Sequence, residues 1–250
     1  MWNNARLMNL IATGMLVLAG AIVAKIGFVL LASSPSFTIS GASVYGLLDR
    51  VTRDQVSEAI SGRPIGNFFS ADLALVKQLV EEIPWVRNAD VRLQWPDRLA
   101  ILIEEHRVLG RWDGERLINV HGELFAGAPT AGLPRLFGPN GSEAEVAKRY
   151  CKFREIVKPL NAEPVELVLS PRYAWTLKLS TGLIAELGRE QQKSAVDARL
   201  ERFVDSHAAA TELTGRKMLH VDLRYPNGFA VRIGGLGGEA PRVVGARKKG

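Results

Sequence analysis

The run from Leu10 to Ala32 is apolar except at Thr13 and Lys25. As a helix it would extend about 34 Å, enough to cross a hydrocarbon core of about 30 Å. It has no polar face, which a surface helix would need, and its place at the N-terminal end ahead of a linker disfavours a buried core helix. Lys25 at the centre of such a helix would cost about 2.5–3.5 kcal/mol. It stands past the middle, so its long stem can reach the nearer interface. Leu31-Ala32-Ser33 offers the small residues of a cleavage site. A cleavable apolar region, however, usually spans only about 7–15 residues, which favours an uncleaved anchor. Arg6 precedes the run, and no Lys or Arg occurs from Ser33 to Asp49. That asymmetry points the N-terminus to the cytoplasm and the rest of the chain outward. The expected layout is a cytoplasmic segment 1–9, a transmembrane helix 10–32 and a linker 33–36.

Residues 37–112 then read as one small α+β domain. Phe37-Thr-Ile-Ser-Gly41 opens it. Thr52 with Gln55 has capping-box spacing, and Val56, Ala59 and Ile60 share a helical face that Gly62 and Pro64 terminate. A second helix is expected from Ser70, with Leu73, Val76, Leu79, Val80 and Ile83 on one face and Pro84 at its end. Val91-x-Leu93-x-Trp95 and Leu99-x-Ile101-x-Ile103 alternate around Pro96-Asp97-Arg98, as a half-buried hairpin does. The order is strand, helix, helix, strand, strand.

Residues 113–233 predict a second domain, an antiparallel sheet backed by helices. A hairpin spans 117–126, and 127–141 reads as a Gly- and Pro-rich loop. Ser142, with Glu145 three residues on, is expected to cap a helix with Val146, Tyr150, Phe153 and Val157 on one face. Strands are expected at 165–169, 175–179, 183–187, 218–223 and 229–233, with a helix between Arg189 and Val204. The net charge of +6 is uneven, because Arg242, Arg247, Lys248 and Lys249 crowd the last residues. Segment 234–250 is therefore expected to be a disordered basic tail rather than a nucleic-acid-binding face.

Chemistry-bearing patterns are sparse. Cys151 is the single cysteine and falls on an apolar helical face. His106, His121, His207 and His220 are scattered without zinc spacing. The Gly-rich 234–238 lacks a strand–turn–helix context. Glu104 and Glu105 alternate across a strand, so their carboxylates point to opposite faces. No catalytic, cofactor-binding, metal or small-molecule site is expected.

The order of elements in 37–112, with Pro84-Trp85-Val86 and Trp95-Pro96-Asp97-Arg98-Leu99, resembles the polypeptide-transport-associated (POTRA) domain. Together with the anchor, Leu187-Gly188-Arg189 and Val221-Asp222-Leu223-Arg224-Tyr225, nearly the whole chain, about 7–233, resembles the bacterial cell-division family FtsQ/DivIB. The resemblance implies a non-catalytic scaffold of the divisome: a single-pass type II protein of the inner membrane, with its bulk in the periplasm and enriched at the septum. It would link cytoplasm-assembled division proteins to those of septal wall synthesis. It implies binding of the FtsB–FtsL coiled-coil pair by strand addition to the last strand, with FtsK, FtsW and FtsI as further partners. Arg224, Tyr225, Asn227 and Gly228 match contact positions of the family. Ile233 stands where family members often carry Trp.

The residues support that mode on their own terms. Phe229–Ile233 is the last expected strand, so an exposed edge is expected there. Arg189 and Arg224 are suited to acidic partner residues, and Tyr225 to a rigid aromatic anchor. The candidate partner-binding set is Arg189, Arg224, Tyr225, Asn227, Gly228, Phe229, Val231 and Ile233. The bland alternatives are a core Tyr225, an Arg189 paired at a helix start and a Phe229 that only packs. A patch at Phe37–Gly41 and the adjoining helix is a second candidate surface, without a named partner. Rival functions are a POTRA subunit of a secretion or outer-membrane assembly machine, which would need a barrel of many strands, and a membrane-tethered cell-wall enzyme.

Overall fold

In a computed structural model the chain is described over residues 5–32, 38–128, 131–192, 194–225, 228–234 and 242–245. It divides into two units, 1–106 and 107–250.

In the first unit, α1 covers Ala5–Ala32. Its stretch Met8–Leu31 has a mean hydropathy of 2.3 and is long and apolar enough to cross a membrane. Leu10, Met15, Leu16, Val17 and Leu30 all point away from protein, as lipid-facing side chains do. The Thr13 hydroxyl donates to the Asn9 carbonyl at 2.8 Å, so this polar group is satisfied within the helix.

Next come β1 (Gly41–Tyr45), α2 (Arg53–Ile60), α3 (Leu73–Glu81), β2 (Val86–Gln94) and β3 (Arg98–Glu105). The sheet order is β1-β3-β2. β1 runs parallel to β3, and β2 antiparallel to it. Both helices cover one face, where Val56, Val76, Val80, Leu99, Ile101 and Ile103 form the core. The capping box at Thr52 and Gln55 is formed in both directions. The cap of α3 is Asp72 rather than Ser70: Asp72 Oδ1 accepts from the Leu75 N–H at 3.0 Å, while Ser70 turns back to Asn67. The first strand starts at Gly41, where the opening Phe-Thr-Ile-Ser-Gly ends. Thr38 forms an isolated bridge to Asn67 rather than part of the strand, and Phe37 lies outside the described residues. Glu104 and Glu105 do face opposite ways. Glu104 pairs with Arg87 at 2.8 Å, and Glu105 accepts the backbone N–H groups of Asp49, Arg50 and Val51.

The second unit holds β4 (Val108–Trp112), β5 (Arg116–Asn119), β6 (Leu124–Phe125), β7 (Arg135–Phe137), α4 (Glu143–Val157), β8 (Pro164–Leu169), β9 (Ala174–Leu179), β10 (Ile184–Arg189), α5 (Val196–Thr214), β11 (Met218–Asp222), β12 (Gly228–Ile233) and β13 (Arg242–Gly245). They form one sheet in the order β13-β12-β11-β10-β9-β8-β7-β4-β5-β6. The sheet is mixed, which corrects the expected antiparallel one: β4–β7, β7–β8 and β10–β11 are parallel pairs. The cause is the placement of the helices. α4 lies between β7 and β8, and α5 between β10 and β11, and such helical crossovers bring consecutive strands side by side in parallel.

Three segments differ from the sequence-based layout. Residues 107–112 belong to the second unit rather than the first, because Leu109 and Trp112 are buried with Leu136 and Val146 in its core. The loop at 127–141 contains β7, held by backbone pairing to β4 and β8. The tail 234–250, expected to be disordered, contains β13; residues 235–241 and 246–250 lie outside the described residues.

The helices cover one face of the sheet, with Phe153 of α4 and Phe203 of α5 in one core with Trp175, Leu177, Val221, Phe229 and Val231 of the strands. The Tyr150 hydroxyl donates to the Pro164 carbonyl at 3.0 Å, and burial pushes its pKa up to about 12. Asp197 on α5 bridges Arg149 and Lys152 on α4. Ser142 precedes α4 but does not cap it by its side chain, which donates instead to the Pro139 carbonyl.

Candidate functional site

β10 and β11 are in parallel register with Ile184 beside His220 and Glu186 beside Asp222. Ala185 and Val221 point into the core. Alternation along the strands therefore turns Glu186, His220 and Asp222 to the face away from the helices. There they meet Arg224. Asp222 Oδ1 accepts Arg224 Nε at 2.9 Å, and Oδ2 accepts Nη2 at 2.6 Å, a bidentate pair. The Arg224 backbone N–H donates to Asp222 Oδ1 at 3.0 Å. Glu186 completes the cluster, with Oε2 at 3.4 Å from Arg224 Nη2 and Oε1 at 3.0 Å from His220 Nε2. The hydrogen bond from Arg224 holds the Asp222 carboxyl below the usual range, and the same bond raises the Arg224 pKa. Arg224 is thus already engaged by two carboxylates. Its first effect is to fix the chain where it leaves β11, directly before Tyr225.

Arg189 reaches the same corner from the end of β10. The ladder with β9 shifts register between Glu186 and Gly188, and Gly188 has φ +72°. The missing side chain matters there, because a Cβ on Gly188 would stand 2.8 Å from Arg224 Cγ. The Arg189 side chain is exposed, and its carbonyl accepts a hydrogen bond from Arg199 Nη2. Arg199 is only 2% exposed, and burial pushes its guanidinium pKa down. A buried α5 cation therefore pins the end of β10 that presents Arg189.

Tyr225 is 51% exposed, which removes the reading as a core residue. Asn227 lies outside the described residues. Phe229 and Val231 are buried, and Phe229 packs edge-on against Phe203 at 5.4 Å between ring centres. Ile233 is partly buried against the same core. Those three therefore direct their side chains largely into the core, and Gly228 has none to present.

The expected open edge on β12 is overturned. β12 pairs with β11 on one flank and with β13 on the other, in the register Gly228↔Gly245 to Val231↔Arg242. The outermost strand at this side of the sheet is the chain's own segment Arg242–Gly245. The edge remained available to pairing, and residues from this chain took it.

Glu186, Gly188, Arg199, His220 and Asp222 were absent from the sequence-based set. A signal existed for two of them: His220-x-Asp222-x-Arg224 is a polar stripe of period two running to the named Arg. Glu186 and Arg199 join only through the β10–α5–β11 crossover, which no local pattern encodes. Among the described residues no group of three His, Cys, Asp or Glu is placed to hold a metal ion. Cys151 is half-buried on α4.

Two family models match. "POTRA domain, FtsQ-type" covers residues 37–106, and "Cell division protein FtsQ/DivIB, C-terminal" covers 110–224. The first ends where the first structural unit ends. Relatives with the printed name "Cell division protein FtsQ" align over most of their length. That of Burkholderia pseudomallei is 41% identical over 239 residues, spanning 94% of this chain and 96% of the relative. That of Bordetella pertussis is 37% identical, spanning 94% of each. That of Nitrosospira multiformis is 35% identical, spanning 93% of this chain and 99% of the relative.

Proposed function

We propose that this chain, which belongs to the FtsQ/DivIB family of cell-division proteins, is a non-catalytic scaffold of the divisome. In this reading α1 anchors it in the inner membrane with type II topology. Both folded units stand in the periplasm at the septum. The β12 flank, with Arg189, Arg224 and Tyr225 at its corner, receives a strand from the FtsB–FtsL pair. FtsK, FtsW and FtsI are further partners in the same assembly.

One observation carries this reading: the outer flank of β12 is paired by only a short strand of the same chain, β13, over the four residues from Gly228↔Gly245 to Val231↔Arg242. A four-residue edge strand is a weak occupant, and a longer strand with side-chain anchors outcompetes it. Tyr225 and Arg224 sit directly before β12 and provide those anchors. The incoming strand takes the place of β13. The tail thus acts as a resident competitor whose pairing lowers the apparent affinity by the fraction of molecules in which the flank is free.

The test has two parts. A fluorescent fusion of the full chain is expected at midcell in dividing cells. The detergent-solubilised full chain is expected to capture an FtsB–FtsL pair, and Tyr225→Ala to lose that capture. Uniform envelope fluorescence, or capture undiminished by Tyr225→Ala, overturns the reading.

A further inference from the structure

The topology of the first unit fixes which end of its sheet meets the bilayer. β1 is the strand that follows the membrane helix, and its first residue, Gly41, pairs with Arg98 at the start of β3. Parallel pairing therefore brings the β2–β3 hairpin tip, Trp95 to Asp97, to the end where the tether arrives. Direct contacts agree. The Ser40 N–H donates to the Asp97 carbonyl at 2.9 Å, and its hydroxyl donates to Asp97 Oδ2 at 2.5 Å. The turn between α2 and α3 reaches the same end, where Asn67 bridges Thr38. The Asn67 side-chain amide also donates to the carbonyl of Leu31, in the last turn of α1, at 2.9 Å.

Large apolar rings stand out at this end. Trp95 is 76% exposed, and Phe69, edge-on to Phe68, is 42% exposed. Asn67 touches the last helical turn, so Phe68 and Phe69 lie one or two residues from the end of the apolar span. Trp95 is two residues from Asp97, itself tied to Ser40 only two residues beyond Thr38. The headgroup layer on each side of the hydrocarbon core is about 5–8 Å deep, and Trp is the residue most suited to it, with an apolar ring and a polar N–H.

We propose that Trp95, with Phe68 and Phe69, forms an interfacial foot that seats the first unit on the outer-leaflet headgroup layer. Its partner is the lipid surface itself. The foot converts a tethered domain into one of fixed height and tilt, which a scaffold that presents a strand to a membrane-borne partner requires. The proposal rests on the membrane-anchor reading of α1.

The test uses the full-length chain in nanodiscs whose lipids carry bromine at a shallow acyl position, which quenches nearby indoles. Trp85 lies at the opposite end of the sheet, beside β2's first residue, and serves as an internal control. Trp2, Trp112 and Trp175 are common to both proteins compared. Trp95→Phe is expected to remove about half of the bromolipid quenching, as for an indole lost from the interfacial belt. Equal fractional quenching of native and Trp95→Phe protein overturns the foot, including the case in which the tip faces protein instead. The far-ultraviolet circular dichroism of Trp95→Phe should match the native spectrum, since the ring is exposed. If α1 does not insert, the protein fails to co-elute with the nanodiscs at all. That outcome removes the anchor itself and is distinct from a seated protein whose Trp95 is not quenched.

Discussion

Gly188 lies under the side chain of Arg224: a Cβ built on Gly188 would approach Arg224 Cγ to 2.8 Å. Gly188 also holds φ +72°, a conformation that L residues rarely adopt. Gly188→Ala is therefore expected to cost about 1–2 kcal/mol from backbone strain. It should also displace Arg224 from its pair with Asp222. Thermal unfolding measures the first effect and partner capture the second. Native stability in the alanine variant would remove the close approach from the account.

Tyr225 bears on binding and little on folding. Its ring is half exposed and belongs to neither core cluster. Tyr225→Ala should change stability by no more than about 0.5 kcal/mol. A central aromatic anchor lost from an interface costs about 2 kcal/mol or more, roughly 30-fold in affinity. Titration of the FtsB–FtsL pair onto both proteins separates the two effects.

The tail strand gives a prediction of opposite sign. Ending the chain at residue 238 deletes β13 and frees the outer flank of β12. If that pairing contributes about 1.4 kcal/mol, the partner should bind about tenfold more tightly. Weaker binding by the shortened chain would mean that the partner builds on β13 rather than replacing it.

Acid should loosen the second unit in a definite window. Asp222 is held below the usual carboxylate range first by its hydrogen bond from Arg224. For Asp197, burial alone would raise the pKa, but the bonds and charges of Lys152 and Arg149 outweigh it and the net shift is downward. A folded-state pKa below the unfolded one gives stability that is fully present above the unfolded value. That stability is lost as pH falls through the folded one. Urea midpoints should thus be flat with respect to these two groups near neutrality and fall below about pH 4. Asp197→Asn should flatten part of that fall.

Glu105 is expected to matter for the first unit without touching any partner. Its carboxylate collects the N–H groups of Asp49 at 3.2 Å, Arg50 at 3.1 Å and Val51 at 2.8 Å, just ahead of α2. Glu105→Ala should destabilise that unit by about 1–3 kcal/mol. Hydrogen exchange at residues 49–51 should rise first, and unchanged protection there would count against this role.

Local patterns carried much of the first unit. Thr52 and Gln55 satisfy each other within one turn, so four residues of sequence suffice to read that cap. The alternation around Pro96 gave the hairpin, because a half-buried strand writes its burial into every second residue. The same reading missed β7, whose three residues are strand only because β4 and β8 lie on either side. It also assigned Val108–Trp112 to the wrong unit, since alternation does not say which core a strand faces.

The candidate corner was legible in part. Arg189, Arg224 and Tyr225 were named from sequence and are exposed near one another, whereas Phe229 and Val231 turned out to spend their side chains on Phe203 and the core. Glu186 and Arg199 were invisible, because the ion pairs and the pinned carbonyl depend on a parallel register set by α5, whereas Asp222 showed as part of the polar stripe leading to Arg224.

By itself the sequence determined the long apolar N-terminal helix, the two-unit order and the positions of most helices and strands, since each follows from periodicity, capping and punctuation within a few residues. Only the tertiary structure decided that strands run in parallel pairs, that Asp222 and Glu186 engage Arg224, and that Arg242–Gly245 covers the flank of β12. Backbone hydrogen bonds between strands join residues far apart in the chain and depend little on side-chain identity, so their partners are chosen by proximity in the folded state.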